Sequence, residues 1–373
     1  MDADVIVIGL GAAGSYASWN LACNGASVLG LEAQSLIHDD GAYAGESRLF
    51  RAAYHEGAHY VPLLLASRRA WLELADESLA PIFHPTGVLS IGSPADPRME
   101  QVRRSLAAAD IPHTTFTTAE LAARYPQHQE LSDEIAVLDE LGGALRPESA
   151  VTEIQRRATA AGAELRGNSP VLSIEETGDA VRVVTPEGTL TARQAIVSAG
   201  IWTPMLLPTL DRHLTIKPIA LTWFAPQNPG DFAPSVFPAF IRDHGAVHIF
   251  GVPTLDGSLV KAGYDAKWGD IDAPEHLERR LSAAERAKIS RDIHTLIPGL
   301  PDGIAKHSVH ADIFTADKTP VIGRISDRVT VGTGYSGHGF KFTPAFGDLL
   351  ADIALGRTPE FEISRLSPHR FAA

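Results

Sequence analysis

One cysteine, Cys23, among 373 residues excludes an intrachain disulfide and a cysteine zinc cluster. It falls in the first expected helix, where it reads as a small core residue. Basic residues are scarce as well: 32 Lys and Arg stand against 45 Asp and Glu, for a formal net charge of -13. That deficit argues against a nucleic-acid partner, which needs a surplus of Lys and Arg on one face, and against docking on anionic lipid. No apolar run approaches the roughly 20 residues that cross a bilayer. The opening stretch MDADVIVIGLGAAG carries acids where a secretory signal carries bases, so the cytoplasm is the expected compartment. Internal repeats and low-complexity tracts are missing, and no spacing suggests a metal site. What remains is ordinary globular composition, 45% apolar and 21% charged, in a length that suits two domains.

The most specific feature lies at the start. Asp4 to Ile8 is a short apolar run that reads as a buried strand, Ala12 to Asn24 as a helix closed by Gly25, and Ser27 to Leu31 as a second strand. Between the first two stands Gly9-Leu10-Gly11-Ala12-Ala13-Gly14, a GxGxxG turn. Its first glycine permits the tight turn, the second lets a pyrophosphate approach the backbone, and the third lets helix and strand pack closely. The helix N-terminus offers free N–H groups to phosphate. Glu32 ends the second strand, where its carboxylate can accept both ribose hydroxyls and disfavours a 2'-phosphate. This order predicts a Rossmann-like βαβ unit holding a dinucleotide, and by itself does not separate FAD from NAD.

Further along, Tyr60 to Ala75 reads as an amphipathic helix, Ile82 to Ile91 as a strand, and Met99 to Ala109 and Thr118 to Tyr125 as helices. Pro147 to Ala161 is a helix, Glu164 to Arg166, Val171 to Glu175 and Val181 to Thr185 are strands, and Gln194 to Gly200 is a buried strand ending in small residues. Ile216 to Pro226, Ala239 to Phe250 and Lys261 to Tyr264 have the alternating, aromatic texture of an antiparallel sheet. After a helical region from Pro274 to Leu296, the strand Val329 to Gly334 and the helix Pro344 to Leu355 close the chain. The nucleotide domain is therefore expected to be discontinuous, with 1–82, 142–216 and 311–373 binding the cofactor and 83–141 and 217–310 forming a substrate domain on a large mixed or antiparallel sheet.

The segment Gly45-Glu46-Ser47-Arg48-Leu49-Phe50-Arg51, with Ala52 to Gly57 and Tyr60-Val61-Pro62-Leu63 after it, resembles the monomeric sarcosine oxidase and N-methyltryptophan oxidase family of FAD-dependent amine oxidases. So do Phe237-Pro238-Ala239-Phe240, Phe250-Gly251-Val252-Pro253, Lys261-Ala262-Gly263-Tyr264 and Ser336-Gly337-His338-Gly339-Phe340-Lys341-Phe342. The resemblance covers essentially the whole chain. It implies FAD as cofactor and oxidation of a secondary amino acid to an imine, with O2 reduced to H2O2. It also implies roles: Arg51 and Lys341 grip the substrate carboxylate, Lys261 activates O2, and Arg48 organises the flavin side of the site. A guanidinium fork beside a point charge suits an amino-acid carboxylate, and a fixed cation suits charge developing on O2. For the cofactor it implies Gly9, Gly11, Ala12, Ala13, Gly14 and Glu32 at the ADP half, Ser47 and Arg48 along the pyrophosphate and flavin, Val171 at the adenine, and Gly337, His338, Gly339, Phe340 and Lys341 facing the pyrimidine edge.

The chain also departs from the family pattern. Where the family tethers FAD through a cysteine, this sequence has His310, so FAD is expected to be held noncovalently, with a histidyl link through His310 as the alternative. Ala44 replaces a histidine, Glu46 an aspartate, and Asp265 the histidine after Gly-Tyr. Phe250 stands where a tyrosine hydroxyl would face the substrate. Phe250 and Asp265 are thus candidate substrate contacts, and sarcosine itself is in doubt. An amine dehydrogenase using another acceptor, and a noncatalytic flavin-binding protein, remain open. Nothing in the sequence demands more than a monomer.

Overall fold

The computed structural model describes residues 1–264 and 269–371. Strand β1 (Ala3–Ile8), helix α1 (Ala12–Cys23) and strand β2 (Val28–Leu31) form where the apolar runs and the glycine turn place them. β1 and β2 pair in parallel, Val5 opposite Val28 and Ile8 opposite Leu31. A parallel pair needs a crossover, and α1 supplies it. Val5, Ile6, Val7 and Ile8 are all buried, because sheet neighbours and layers above and below cover both faces; hence the run is continuously apolar rather than alternating.

The first sheet has eight strands, in the order Ser173–Glu176, Val181–Thr185, Gly188–Val197, β1, β2 and Glu164–Arg166, with Val329–Thr333 also joined to Gly188–Val197 and Val321–Arg324 beyond it. α1 packs between the helices Pro147–Ala160 and Thr343–Ala354. The second sheet, also eight-stranded, runs Lys306–Thr315, Leu214–Phe224, Val260–Tyr264, Val247–Val252, Ala239–His244, Val88–Gly92, Ile135–Asp139 and His113–Phe116. Its neighbours are antiparallel except Val88–Gly92 beside Ala239–His244. Phe232, Phe237 and Phe240 are buried in the core beside this sheet, each contributing about 1.5–3 kcal/mol by leaving water. A three-stranded sheet of Arg48–Phe50, Gly143–Leu145 and Phe83–His84 is the third. Among the described residues no helix is long and apolar enough to cross a membrane.

Three expectations need correction. Ile82 to Ile91 is two strands, Phe83–His84 in the small sheet and Val88–Gly92 in the second. Pro85 cannot donate to a ladder, and Gly87 has φ 71, so the chain turns between two sheets there. The region from Pro274 to Leu296 is a short 3-10 turn and a separate helix, Ala283–Leu296, started by the Ser282–Glu285 capping box. Cys23 is exposed rather than in the core: it ends α1 on the side away from the buried Leu21 and Ala22.

Candidate active site

A cavity of about 690 Å³ runs from the α1 turn to the face of the second sheet. Gly9, Gly11, Ala12, Ala13 and Glu32 line one end, with Val171 beside them. The three glycines are there for different reasons. A Cβ on Gly9 would lie 2.5 Å from the Ser198 carbonyl oxygen, and one on Gly14 would lie 2.0 Å from the carbonyl oxygen of Gly9. Those two are required by the protein's own backbone. At Gly11 the nearest atom would be Tyr43 Cδ1 at 4.0 Å, so the bare backbone there leaves room for a ligand. Glu32, buried, accepts the Leu10 N–H at 2.8 Å through Oε2 and the Gln34 N–H at 3.1 Å through Oε1. Each oxygen keeps a lone pair for a ribose hydroxyl. The cradle therefore fits the ADP half of a dinucleotide. Gly14→Ala should destabilise even the protein without cofactor, whereas Gly11→Ala should change its melting temperature little and weaken FAD binding by about tenfold or more, about 1.4 kcal/mol. Melting curves with and without FAD check this; equal losses in both variants would count against the assignment.

The turn from Ala44 to Arg48 carries the next groups. Glu148, at the start of its helix, accepts the N–H groups of Gly45 and Glu46 at 2.7 and 2.9 Å, which holds a backbone with φ of 113° and 69° at those residues. Arg48 donates to the carbonyls of Ser47 and Ala42, both at 2.7 Å, and Ala44 at 2.5 Å. Burial pushes its guanidinium down to about 10, so it stays cationic at neutral pH. Lys261 comes from the strand Val260–Tyr264 and donates to the carbonyls of Gly45 and Ser47 at 2.8 and 2.6 Å. Two of its three donors are used, leaving one for the cavity it lines. Burial, and then Arg48, drive its ammonium well below the usual lysine range, against the pull of Glu148 and Glu46.

His310 faces the same region. Its Nδ1 lies 3.2 Å from the Asp39 carbonyl and its Nε2 2.8 Å from the Ser308 hydroxyl. A carbonyl only accepts, so Nδ1 carries the proton and Nε2 accepts from Ser308. Burial, then Arg48 and Lys261, hold the ring at about 4, so it is neutral.

The turn Ser336 to Lys341 forms the roof. Asp312, pushed up to about 6 by burial, accepts the Gly337 N–H at 2.7 Å and so pins the turn to the second sheet. His338 lies between the Tyr54 hydroxyl at 2.7 Å and the Lys318 carbonyl at 2.9 Å. Lys341 donates to the His338 carbonyl at 2.7 Å. Burial, then Arg51, push its ammonium down to about 7. Arg51 and Lys341 share the Tyr54 ring, at 4.9 and 5.2 Å from its centroid. The structure thus brings together two cations from distant parts of the chain, and both line the cavity.

Arg51 is not free, however. It donates to both oxygens of Glu56 at 3.2 and 3.1 Å and contacts His55 Nδ1 at 2.5 Å. Burial works against the Glu56 charge, but Arg51 and His55 hold it well below the usual carboxylate range. Asp139, fully buried, accepts the N–H groups of Ala52 and Ala53 at 2.5 and 2.8 Å and so fixes this segment to the second sheet. Sequence reasoning misses Glu56, Asp139, Glu148, Asp312 and the pair Asp243–His248. All but Glu56 act through a partner distant in the chain or across a hairpin, and Glu56 pairs with Arg51 5 residues away at a spacing that carries no motif.

Phe250 lines the cavity over Gly263, where a Cβ would come within 2.2 Å of its ring. Ser47 and the run Gly337, His338, Gly339 and Phe340 line it too, whereas Gly14 packs against Gly9 instead. Asp265 lies outside the described residues. Among the described residues no group of three or more His, Cys, Asp or Glu could hold a metal ion.

A Rossmann-like cradle opening onto a cationic cavity beneath a mixed sheet defines a nucleotide-cofactor oxidoreductase. Residues 4–353 match the FAD dependent oxidoreductase (DAO) family model, and the chain belongs to that family. It is 36% identical over 377 residues to the monomeric sarcosine oxidase of Streptomyces avermitilis, covering 99% of this chain and 98% of that one. It is 32% identical over 385 residues to the N-methyl-L-tryptophan oxidase of Salmonella typhi, covering the full length of both. Among solved structures it superposes on NikD, an amino acid oxidase essential for nikkomycin biosynthesis, with a TM-score of 0.86 at 21% identity, over 98% of this chain and 97% of that one. That last likeness is one of fold. The cofactor is FAD, and the only cysteine of the sequence lies exposed at the end of α1.

Proposed function

We propose that this enzyme oxidises the C–N bond of a secondary amino acid, N-methylated or cyclic, to an imine. The observation that carries the reading is the meeting of Arg51 and Lys341 around Tyr54 in a cavity that Lys261 also lines. The relatives' names, for oxidases of N-methyl amino acids, support it. Bound FAD supplies a two-electron acceptor that takes the hydrogen equivalents from the C–N bond and passes them to O2, giving H2O2. The chain's own residues hold and place the reactants. Arg51 and Lys341 bind the carboxylate, which orients the α-carbon and amine. Phe250 and Ile241, both lining the cavity, exclude water from the bound substrate. Lys261 presents its amine where negative charge develops on O2, and that charge favours the ammonium form which burial and Arg48 oppose. Arg48 neutralises the flavin side, and water hydrolyses the released imine.

An anaerobic screen of N-methyl, cyclic and primary amino acids, following loss of flavin absorbance, tests the reading. Bleaching by secondary amino acids is expected; no bleaching by any of them overturns it. Lys341 predicts a pH effect as well. Its cation persists below about 7, so simple carboxylates such as propionate should bind the holoenzyme more tightly below pH 7 and progressively less tightly above it. Flavin difference spectra measure this, and an affinity flat from about pH 6 to about pH 9 would remove Lys341 from the carboxylate site.

FAD is held noncovalently in this reading, because both ring nitrogens of His310 are engaged by Ser308 and Asp39. Acid precipitation should leave the yellow colour in the supernatant; a yellow pellet would place the link on His310. We assign 1–82, 142–216 and 311–373 to FAD binding and 83–141 and 217–310 to substrate binding. The strands Leu214–Phe224 and Lys306–Thr315 run across two of those borders. We take the working form to be a cytoplasmic monomer, where an unpaired cysteine is at home.

A further inference from the structure

We propose that His248, oriented by Asp243, reads a hydrogen-bond donor on the substrate's side chain. This rests on the amine-oxidation reading above and adds a substrate class to it: secondary amino acids whose side chain carries a hydroxyl, amide or similar N–H or O–H group.

The hairpin of Ala239–His244 and Val247–Val252 sets Asp243 directly opposite His248. Their side chains meet at 2.6 Å, Asp243 Oδ1 to His248 Nδ1. Arg98 pairs with the same carboxylate oxygen at 2.6 Å and lies 3.3 Å from His248 Nδ1. A contact of 2.6 Å between a ring nitrogen and a carboxylate oxygen needs a proton between them, so Nδ1 is the N–H and Arg98 serves the carboxylate. Burial opposes the Asp243 charge, but His248 and Arg98 hold its carboxyl below the usual range. In the neutral ring the tautomer is thereby fixed, and Nε2 is an acceptor. Among the described residues Nε2 has no partner, and His248 lines the cavity.

Its place along the strand decides what it reads. Directly opposite residues share a sheet face, and alternate residues return to it. Lys261 faces Val252, the next row on that face pairs Phe250 with Gly263 and Ile241, and His248 with Asp243 comes after. Val252 and His248 are about 13 Å apart along the strand, at about 3.3 Å per residue. A group there is too far from the Lys261 row to serve the reacting C–N bond, but it lies beyond the apolar wall of Phe250 and Ile241, where a side chain would extend. The other imidazoles at this end are committed: His55 to Arg51 and Glu56, and His338 to Tyr54 and Lys318. A donor reaching past Phe250 therefore meets an oriented acceptor, whereas an apolar side chain leaves that nitrogen unpaired.

The test uses the holoenzyme and two matched pairs of racemic probes: N-methylglutamine against N-methylmethionine, and N-methyltyrosine against N-methylphenylalanine. Anaerobic flavin reduction gives kcat/KM for each. In the native enzyme at least one pair should favour the donor-bearing member by about tenfold. His248→Phe should bring that ratio toward one, mainly through KM. Asp243→Asn keeps the ring but removes the carboxylate that fixes its tautomer, and should lower the same ratio. Flavin spectra and melting temperatures establish that each variant folds. Ratios near one in the native enzyme, or an unchanged ratio in both variants, overturn the proposal while leaving amine oxidation standing. No reduction by any N-methyl or cyclic amino acid overturns both.

Discussion

Lys261→Met should slow reoxidation of the reduced enzyme by O2 by about 10²–10³-fold, the usual loss when one preorganised charge or donor is removed from a dry site. Flavin reduction by substrate should change far less. The Lys261 amine is held in place by the fold itself. It is buried, tied to the carbonyls of Gly45 and Ser47, and left with one donor for the cavity. Its position is thus fixed before O2 arrives, so no reorganisation is needed when negative charge develops. Methionine keeps similar length and bulk while removing the charge. Stopped-flow measurement of the two half-reactions separates the outcomes. Equal losses in both would make Lys261 a brace for the Gly45–Ser47 turn. Sluggish reoxidation already in the native enzyme would favour a dehydrogenase with another acceptor.

The second large effect concerns Arg51. Arg51→Gln should lower kcat/KM for amino acids by about 10²-fold, equivalent to the roughly 1.5–3 kcal/mol of a charge-assisted hydrogen bond. It should also lower the melting temperature, because Glu56 is left in the protein interior without its guanidinium. Adding Glu56→Gln separates the two roles. The double variant should regain thermal stability, since no uncompensated carboxylate remains, but not kcat/KM. Recovery of both would mean that Arg51 serves only to neutralise Glu56. The pairing with Glu56 also implies that an incoming carboxylate must share or displace that partner, so Glu56→Gln alone is the informative control for substrate affinity.

The cradle from Gly9 to Glu32 is legible in the sequence because every part of it is local: strand, turn, helix and acid follow within one βαβ unit. Lys261, Lys341, Arg48 and Arg51 emerge from family resemblance rather than from spacing, since an isolated lysine or arginine carries no local signal. The split of Ile82 to Ile91 escapes sequence reasoning because apolar runs look alike whether they form one strand or two, and only the destination of each half distinguishes them. Cys23 reads as core but is exposed, because a residue at a helix end owes its exposure to the helix's orientation, which composition does not report.

Residue type and short-range order were therefore enough to determine a dinucleotide cradle, and resemblance to the family added FAD, the missing tether cysteine and four cations suited to the chemistry. Which groups restrain those cations was decided only by the tertiary structure: Glu56 on Arg51, the Gly45 and Ser47 carbonyls on Lys261, and the His338 carbonyl on Lys341. The fold likewise decided that Asp243 and His248 meet across a hairpin, and that Gly11 alone of the three cradle glycines leaves open space. The physical reason is that charge and hydrogen-bond partners are set by distance in space. Lys261 meets carbonyls 216 and 214 residues away, and even the partners of Arg51 and Lys341, 5 and 3 residues off, are selected by how the backbone turns there.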